Sequence, residues 1–260
     1  MTGRLRAPVV DSLHAWAKSR TIRARSTAQR LRALCPLRCI FQTRLLGVSG
    51  EEDVEGAGLW TYPSEDDILG CTPETALEWI DDNFLRNDPY AFREVSSSFR
   101  STAALIAREL NIDRNGIFCI GSGAIGLSLN PKKLSDGKLK RYDDKSDIDL
   151  AVISEVYFEM AWRDLRQAAQ PTTEYMDTLV RRYIQWQKKR FFDGAILANR
   201  LLPALSFGRE WGPSLVRIEE HVSVLFGREV SIELWIYRDY WSLRNYVSDG
   251  LIKCRKGMVS

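Results

Sequence analysis

Two carboxylates spaced two positions apart are the first feature of this sequence that could carry chemistry. Asp147 and Asp149 open an apolar run, SDIDLAVIS, at positions 146–154. Side chains two apart in a strand point to the same face, so both carboxylates would project into one spot while Ile148 and Leu150 face the core. Carboxylates held so close repel each other unless a cation lies between them or one of them is protonated. The pair therefore predicts a site for Mg²⁺ or Mn²⁺, which bind one or two protein carboxylates together with substrate phosphates.

A glycine-rich stretch, GSGAIG at positions 121–126, follows the apolar run IFCI, which predicts a strand. Its G-x-G-x-x-G spacing also occurs in dinucleotide-binding turns, but that fold needs a long helix directly after the last glycine. Pro131 and the turn-forming pair Asp136-Gly137 come too early for such a helix. The dinucleotide interpretation therefore fails on its context.

The same glycines suit the binding of a phosphate. Gly121 lets the backbone come close to a phosphate group, and Ser122 and the amides after it, including that of Gly123, can donate hydrogen bonds to phosphate oxygens. A further acid lies downstream, because Glu233 stands between two apolar residues in the stretch EVSIELWIYRD. On a strand beside that of the Asp pair, Glu233 would be a natural third metal ligand. Trp235, which like the other tryptophans is expected to be a core residue, would follow it on the same strand face, where it could also flank a base.

Taken in order, these features resemble the DNA polymerase beta-type nucleotidyltransferase superfamily. The Gly121-Ser122 turn follows one strand, Asp147 and Asp149 open the next, and a lone acid, Glu233, lies in a third. The resemblance covers about residues 95–240. It implies an α+β fold: a small mixed nucleotidyltransferase-type sheet flanked by helices, with an extra helical segment between the second and last motif strands.

The resemblance also implies an activity. In the family, a nucleoside monophosphate moves from a nucleoside triphosphate such as ATP to a hydroxyl, and pyrophosphate is released. Two divalent ions, Mg²⁺ or Mn²⁺, would bind Asp147, Asp149 and Glu233. The nucleotide would be held by Gly121, Ser122 and Gly123. The resemblance does not specify the acceptor. It could be an RNA or DNA end, a second nucleotide, or a protein side chain, as in toxin-like members and antiviral defence. The alternative is a catalytically degenerate nucleotide- or RNA-binding module of the same fold.

Two departures from the family pattern bear on these expectations. Asp147 follows Ser122 by 25 positions, which leaves room for an inserted basic stretch beside the site. Its cations are Lys132, Lys133, Lys138, Lys140 and Arg141. They would either guide RNA or another polyanionic acceptor, or form a solvated hairpin without a partner. Glu233 follows Asp149 by 84 positions; Glu229 and Asp239 are weaker alternatives because neither stands between two apolar residues.

Periodicity predicts the surrounding elements. Helices are predicted at about 72–84, 92–110, 156–168, 173–201 and 214–226, with Gly227 as the C-cap of the last, and the strands at 117–120, 146–154 and 229–239. The residues after 239 are predicted to be a short polar tail.

Charge divides the chain of 260 residues. Residues 1–44 carry ten Lys or Arg against one acid, whereas residues 51–90 carry twelve acids against Arg86 alone. We therefore expect a basic arm and acidic glycine-rich linker at 1–58 and a nucleotidyltransferase-like domain at 59–260. The arm could be a phosphate-binding tail, a targeting segment or a charged helix neutralised by the acids behind it.

The cysteines and the hydropathy suggest a compartment. Five scattered cysteines, without a secretory signal, favour reduced thiols in a cytoplasmic protein rather than a disulfide framework or a zinc site. No run of about 18 apolar residues occurs, so no membrane span is predicted.

Overall fold

A computed structural model describes residues 61–259, except for 87, 96 and 171–177. The chain divides into two compact units, Met1–Trp60 and Thr61–Ser260, and all described residues belong to the second. The predicted basic arm and linker at 1–58 lie outside the described residues, as do Cys35 and Cys39.

Four strands and eight α-helices make up the described part. The strands are β1 (Ile117–Ile120), β2 (Ile148–Ile153), β3 (Ala195–Leu197) and β4 (Ile232–Tyr237). The helices are α1 (Glu65–Gly70), α2 (Ala76–Asn83), α3 (Phe99–Leu110), α4 (Ser122–Ile125), α5 (Glu155–Ala168), α6 (Thr178–Phe192), α7 (Gly208–Phe226) and α8 (Tyr240–Met258). Short 3₁₀ turns occupy Tyr90–Phe92, Arg114–Gly116, Pro131–Lys133 and Leu202–Ala204.

The strands form one mixed sheet in the order β1-β2-β4-β3. β1 runs antiparallel to β2, β2 runs parallel to β4, and β3 runs antiparallel to β4. The predicted α+β class, with a small mixed sheet flanked by helices, is therefore confirmed. The helical segment between the second and last motif strands is also present, as α5, α6 and α7, and it contains β3 as well.

Alternation along the strands separates two cores. On one face, Ile148, Leu150 and Leu234 pack into a cluster with residues of α3, α5, α6 and α7. On the other face, Ala151 and Tyr237 pack into a second cluster with residues of α1, α2, α4 and α8. Helices therefore cover both faces of the sheet, and each strand residue is assigned to a face by its parity.

Local signals set several element ends. Ser154 caps α5 by accepting a hydrogen bond from the Tyr157 amide. Gly227 ends α7 in the left-handed region, at φ 62°, as its position predicts. Asp239 caps α8 by accepting from the Ser242 amide. These caps satisfy backbone groups that a helix end leaves without intrahelical partners.

The predicted helix over 173–201 is wrong in its last part. α6 ends at Phe192, and a turn through Gly194, at φ 75°, leads into β3. The Gln187 side chain donates to Leu197 O at 3.0 Å and accepts from Leu197 N at 2.8 Å, which ties the edge strand to α6. Pairing with β4 therefore outweighs the local helical pattern.

Three further boundaries differ from the prediction. The residues after 239 form α8, whose buried Leu243, Val247 and Leu251 recur every fourth position, rather than a short tail. The helix predicted from 92 begins at Phe99, after a separate 3₁₀ turn. α7 begins at Gly208, earlier than predicted, and it continues through Pro213.

Two global features agree with the sequence. Cys71, Cys119 and Cys254, the cysteines that the structure describes, are buried free thiols. In that same part of the chain, no helix combines the length and apolarity needed to cross a membrane.

Candidate active site

Asp149 and Glu233 lie side by side in the middle of the sheet. The parallel pairing of β2 with β4 places the two residues in register, one on each strand. Both belong to the face opposite Ile148 and Leu234, which are fully buried in the first core. The two carboxylates, 84 positions apart in sequence, are thus brought together at the start of two neighbouring strands.

Asp147 lies at the rim of this pair. It precedes the first residue of β2 and is exposed, whereas Asp149 and Glu233 are partly buried. Its charge acts on Asp149, as does that of Glu233, so the three acids share one electrostatic environment. Across the residues that the structure describes, however, no three His, Cys, Asp or Glu side chains form a group able to hold one ion. The three-carboxylate ligand set stays a prediction.

The glycine turn passes directly over Asp149. Ile120, the last residue of β1, pairs with Asp149, and Gly121 follows it at φ 66° and ψ −153°. A Cβ atom at Gly121 would overlap the Asp149 Oδ2 atom. That backbone conformation is almost restricted to glycine, so the close approach and the φ value both require this residue.

The other two residues of the turn have different surroundings. Ser122 is the first residue of α4 and is partly buried, next to the position that approaches Asp149. Gly123 is buried, and a Cβ there would lie 3.1 Å from the Cys119 Sγ atom. Close packing of α4 on β1 therefore explains Gly123, in addition to the predicted role in nucleotide binding, which stays a prediction.

The pKa of the Asp149 carboxyl is shifted by its surroundings. Burial raises its pKa to about 6; a hydrogen bond from Trp235 and the charge of Lys133 lower it, while the charges of Glu233 and Asp147 raise it. The ionised form is thus costly in this environment, since desolvation and two like charges oppose it. A cation beside Asp149 would offset that cost.

Trp235 lies on the same face of β4 as Glu233 and packs against the second core, as expected. Its indole Nε1 donates a hydrogen bond to Asp149 Oδ1 at 3.2 Å, so the ring is oriented by the acid. The Tyr246 ring of α8 lies 5.4 Å from the Trp235 ring, between centroids. Arg190 of α6 donates from Nε to Tyr246 Oη at 3.2 Å. Sequence reasoning missed Arg190 and Tyr246, because nothing local connects α6 and α8 with β4.

The inserted basic stretch forms a short hairpin. Ser135 and Lys138 pair across a turn in which Asp136 has φ 50° and Gly137 has φ 73°, which confirms the turn predicted there. The five cations Lys132, Lys133, Lys138, Lys140 and Arg141 are all exposed. Lys133 is close enough to lower the pKa of Asp149. The proposed guidance of an acceptor by this stretch stays a prediction.

The inserted stretch is also anchored. Leu139 is buried in the second core, and its amide donates to Glu65 Oε1 at 3.1 Å. Gly250 of α8 lies so close to the Leu129 carbonyl oxygen that a Cβ there would be 2.8 Å from it. The hairpin therefore has a defined place beside the site, rather than the form of a loose loop.

The described side chains supply part of the ligand set that a divalent cation needs. Asp149 and Glu233 supply two neighbouring carboxylates, and Mg²⁺ commonly takes one or two carboxylates and completes its octahedral shell with water and phosphate oxygens. The raised pKa of Asp149 marks a place where positive charge is stabilising. Burial raises the pKa of Cys254 to about 11 and that of Cys119 further, so these two thiols are poorly suited to bind a metal as thiolates.

Comparison with known proteins adds no family assignment. No protein-family profile, no curated protein and no solved structure matches this chain.

Proposed function

We propose that this protein is a metal-dependent nucleotidyltransferase, which moves a nucleoside monophosphate from a nucleoside triphosphate to a hydroxyl and releases pyrophosphate. The observation that carries the proposal is the in-register pair Asp149–Glu233 beneath the Gly121-Ser122 turn. Gly121, in a conformation that favours glycine, lies against the Asp149 carboxylate, and Glu233 is the register partner of Asp149 on β4, an arrangement that suits the binding of phosphate and a cation.

Each residue has a distinct task in this proposal. Asp149 and Glu233 would hold a divalent ion, with Asp147 at the exposed rim. Such an ion supplies charge neutralisation for the triphosphate and for the departing pyrophosphate. Gly121 lets the backbone approach the phosphates, and Ser122 donates to them through its hydroxyl or amide.

The transfer itself is an in-line displacement. The acceptor hydroxyl loses its proton to solvent and its oxygen forms a bond to the α-phosphorus, while the bond from that phosphorus to the bridging oxygen breaks and pyrophosphate leaves with the electron pair. Lys133, whose charge reaches Asp149, lies where it can balance negative charge on the nucleotide. Positioning and electrostatics, rather than covalent chemistry by the protein, would supply the rate enhancement.

A second candidate function is nucleotide or RNA binding without turnover. Two observations favour it. The described residues contain no group of three or more metal-ligating side chains that could hold one ion. In addition, one Asp149 oxygen already accepts the Trp235 indole hydrogen.

Labelled nucleotides distinguish the two candidates. The pure protein is incubated with each α-labelled nucleoside triphosphate, Mg²⁺ or Mn²⁺, and RNA or cell extract as the acceptor. We expect labelled acceptor and stoichiometric pyrophosphate, and a loss of at least about 100-fold in Asp149→Asn and Glu233→Gln. Glu229→Gln is the matched control, because Glu229 is exposed and precedes β4.

Binding measurements complete the test. Mg²⁺ with a non-hydrolysable nucleotide should raise the melting temperature of the parent protein and of Glu229→Gln more than that of Asp149→Asn. Nucleotide binding without any transfer would contradict the proposed enzyme and support the binding module. The absence of both binding and transfer would exclude both functions.

A further inference from the structure

A line of aromatic rings and guanidinium groups, three of them on α6, leads away from the carboxylates. The Arg200 guanidinium lies 4.7 Å from the centroid of the Tyr183 ring, which is 6.2 Å from the Trp186 ring. Arg190 lies 4.1 Å from the Trp186 centroid and 5.5 Å from that of Trp235. We call these five residues (Arg200, Tyr183, Trp186, Arg190 and Trp235) the aromatic–arginine ladder.

The inner end of the ladder is fixed at the candidate active site. The hydrogen bond from Trp235 to Asp149 orients that ring, and the bond from Arg190 to Tyr246 orients the guanidinium beside it. Both Trp235 and Arg190 are partly buried. A ligand that followed the ladder inward would therefore arrive at the two carboxylates.

The outer end of the ladder is open to solvent. Trp186 is 53% exposed, and Arg200 is exposed as well. A ring that served only to fill the core would be covered, as Trp211 is at 2% exposed. The outer rings therefore present faces on which another planar group can stack.

The helix that carries the ladder is strongly basic. α6 has the sequence TLVRRYIQWQKKRFF, with five cations and no acid. Its cations are Arg181, Arg182, Lys188, Lys189 and Arg190. Lys188 and Lys189 are exposed, and Lys189 follows Trp186 by three positions, which puts the two on neighbouring positions of the helix surface. A polyanion is the partner that complements this charge.

Stacking surfaces and cations together suit one class of partner. Single-stranded RNA exposes unpaired bases, which stack on aromatic rings and on guanidinium planes, while its phosphates bind Lys and Arg. A folded acidic protein would satisfy the charges but offers no series of planar groups for the rings. Double-stranded RNA keeps its bases stacked inside the helix and would leave the rings unused.

We propose that the aromatic–arginine ladder binds the single-stranded end of an RNA and directs its terminal hydroxyl to the Asp149–Glu233 pair. The second half of this statement rests on the proposed transferase function. The first half, RNA binding by the ladder, stands independently of catalysis.

Binding is measured without nucleotide or metal, by fluorescence anisotropy of a labelled single-stranded RNA of about twelve nucleotides. Trp186→Ala should weaken binding by about 5- to 100-fold, because one base loses its stacking partner. Trp241→Ala is the matched control, since Trp241 is 64% exposed on α8, outside the ladder, and its replacement should leave the affinity unchanged.

A milder pair of variants tests the guanidinium plane. Arg200→Lys keeps the charge but loses the planar group over Tyr183, and it should weaken binding several-fold. Arg209→Lys, at an exposed arginine of α7, should have no effect. Because Arg200 is a surface residue, this pair remains informative even if Trp186→Ala fails to fold.

The results distinguish RNA binding by the ladder from the proposed transferase activity. Asp149→Asn with Glu233→Gln should abolish transfer yet bind RNA at least as tightly as the parent, because negative charge is removed. RNA binding that depends on Trp186 in a protein without transfer activity supports the ladder and contradicts the proposed enzyme. Equal affinities of Trp186→Ala and Trp241→Ala, or tighter binding of a duplex than of the single strand, would overturn the ladder even if transfer is found.

Discussion

On one face of the sheet, the inward positions of β2 and β4 are Ile148, Leu150, Leu234 and their apolar neighbours, and all of them are buried. On the other face, the alternate positions of the same strands carry Asp149 and Glu233. The next positions along β4 on that face are Trp235 and then Tyr237, and exposure falls from partly buried at Glu233 to fully buried at Tyr237.

The comparison shows how one sheet carries both a core and a site. The second face is covered by α8 where Ala151 and Tyr237 are buried, and it is less covered at the strand starts, where Asp149 and Glu233 are partly buried. Charged groups can stay ionised only where water or a counter-ion reaches them. The starts of β2 and β4 are therefore the place on the sheet where a carboxylate pair is tolerated.

The largest stability effect is expected on the apolar face. Ile236→Ala removes a fully buried side chain and should lower the free energy of unfolding by about 2–5 kcal/mol. Ile236→Val, the conservative control, should cost about 0.5–1.5 kcal/mol. Urea unfolding measures both, and equal losses would show that this face is not tightly packed.

The glycine turn on the polar face should come next. Gly121→Ala should cost about 2–4 kcal/mol, because it combines strain in a glycine-only conformation with displacement of Asp149. Gly227→Ala has a similar φ of 62° but nothing within 4 Å of its Cβ, so it should cost only about 1–2 kcal/mol.

The difference between the two glycine variants isolates the contact with Asp149. If both variants lower the free energy of unfolding by the same amount, the turn does not press on the Asp149 carboxylate. In addition, Gly121→Ala should abolish nucleotide binding at temperatures where it is folded, whereas Gly227→Ala should preserve it.

Removing the Asp149 charge should stabilise the metal-free protein in a pH-dependent manner. The folded-state pKa of about 6 lies above the unfolded value of about 4, so ionisation costs folding free energy as the pH rises through this window. In Asp149→Asn, the side-chain amide oxygen can still accept the hydrogen bond from Trp235. The variant has no charge at this position, so it does not lose folding free energy through ionisation. Its advantage should be absent below about pH 4 and reach about 1–3 kcal/mol above about pH 6.

Thermal unfolding in a chelating buffer, across this pH range, measures the effect. The control is Asp144→Asn, an exposed carboxylate in the loop before β2, which should change stability little. An Asp149→Asn variant that is less stable than the parent at pH 8 would contradict the electrostatic account of the polar face.

The smallest effect is expected at the buried end of that face. Tyr237 is fully buried, and its hydroxyl finds no hydrogen-bond partner among the residues that the structure describes. Tyr237→Phe should therefore be neutral or stabilising by up to about 1 kcal/mol, as measured by urea unfolding. A loss above about 1 kcal/mol would reveal a partner for the hydroxyl and extend the polar region along β4.

Features that depend on neighbouring residues can be predicted from the sequence alone. Alternation of polar and apolar residues assigned Asp149 to the face opposite Ile148, and the Asp136-Gly137 turn and the Gly227 cap followed from backbone preferences. These properties are local, because each depends on a few successive φ and ψ angles and on one strand period.

The residues that lie beside those features are set by the packing of distant segments. The pairing of Asp149 with Glu233, the edge strand β3 and the approach of Arg190 to Trp235 join segments that are distant along the chain. Such contacts depend on how whole helices and strands pack, which outweighs local propensity and leaves no periodic signal in any one segment. The acids were therefore identifiable from the sequence, whereas their register and the ladder that leads to them were decided by packing.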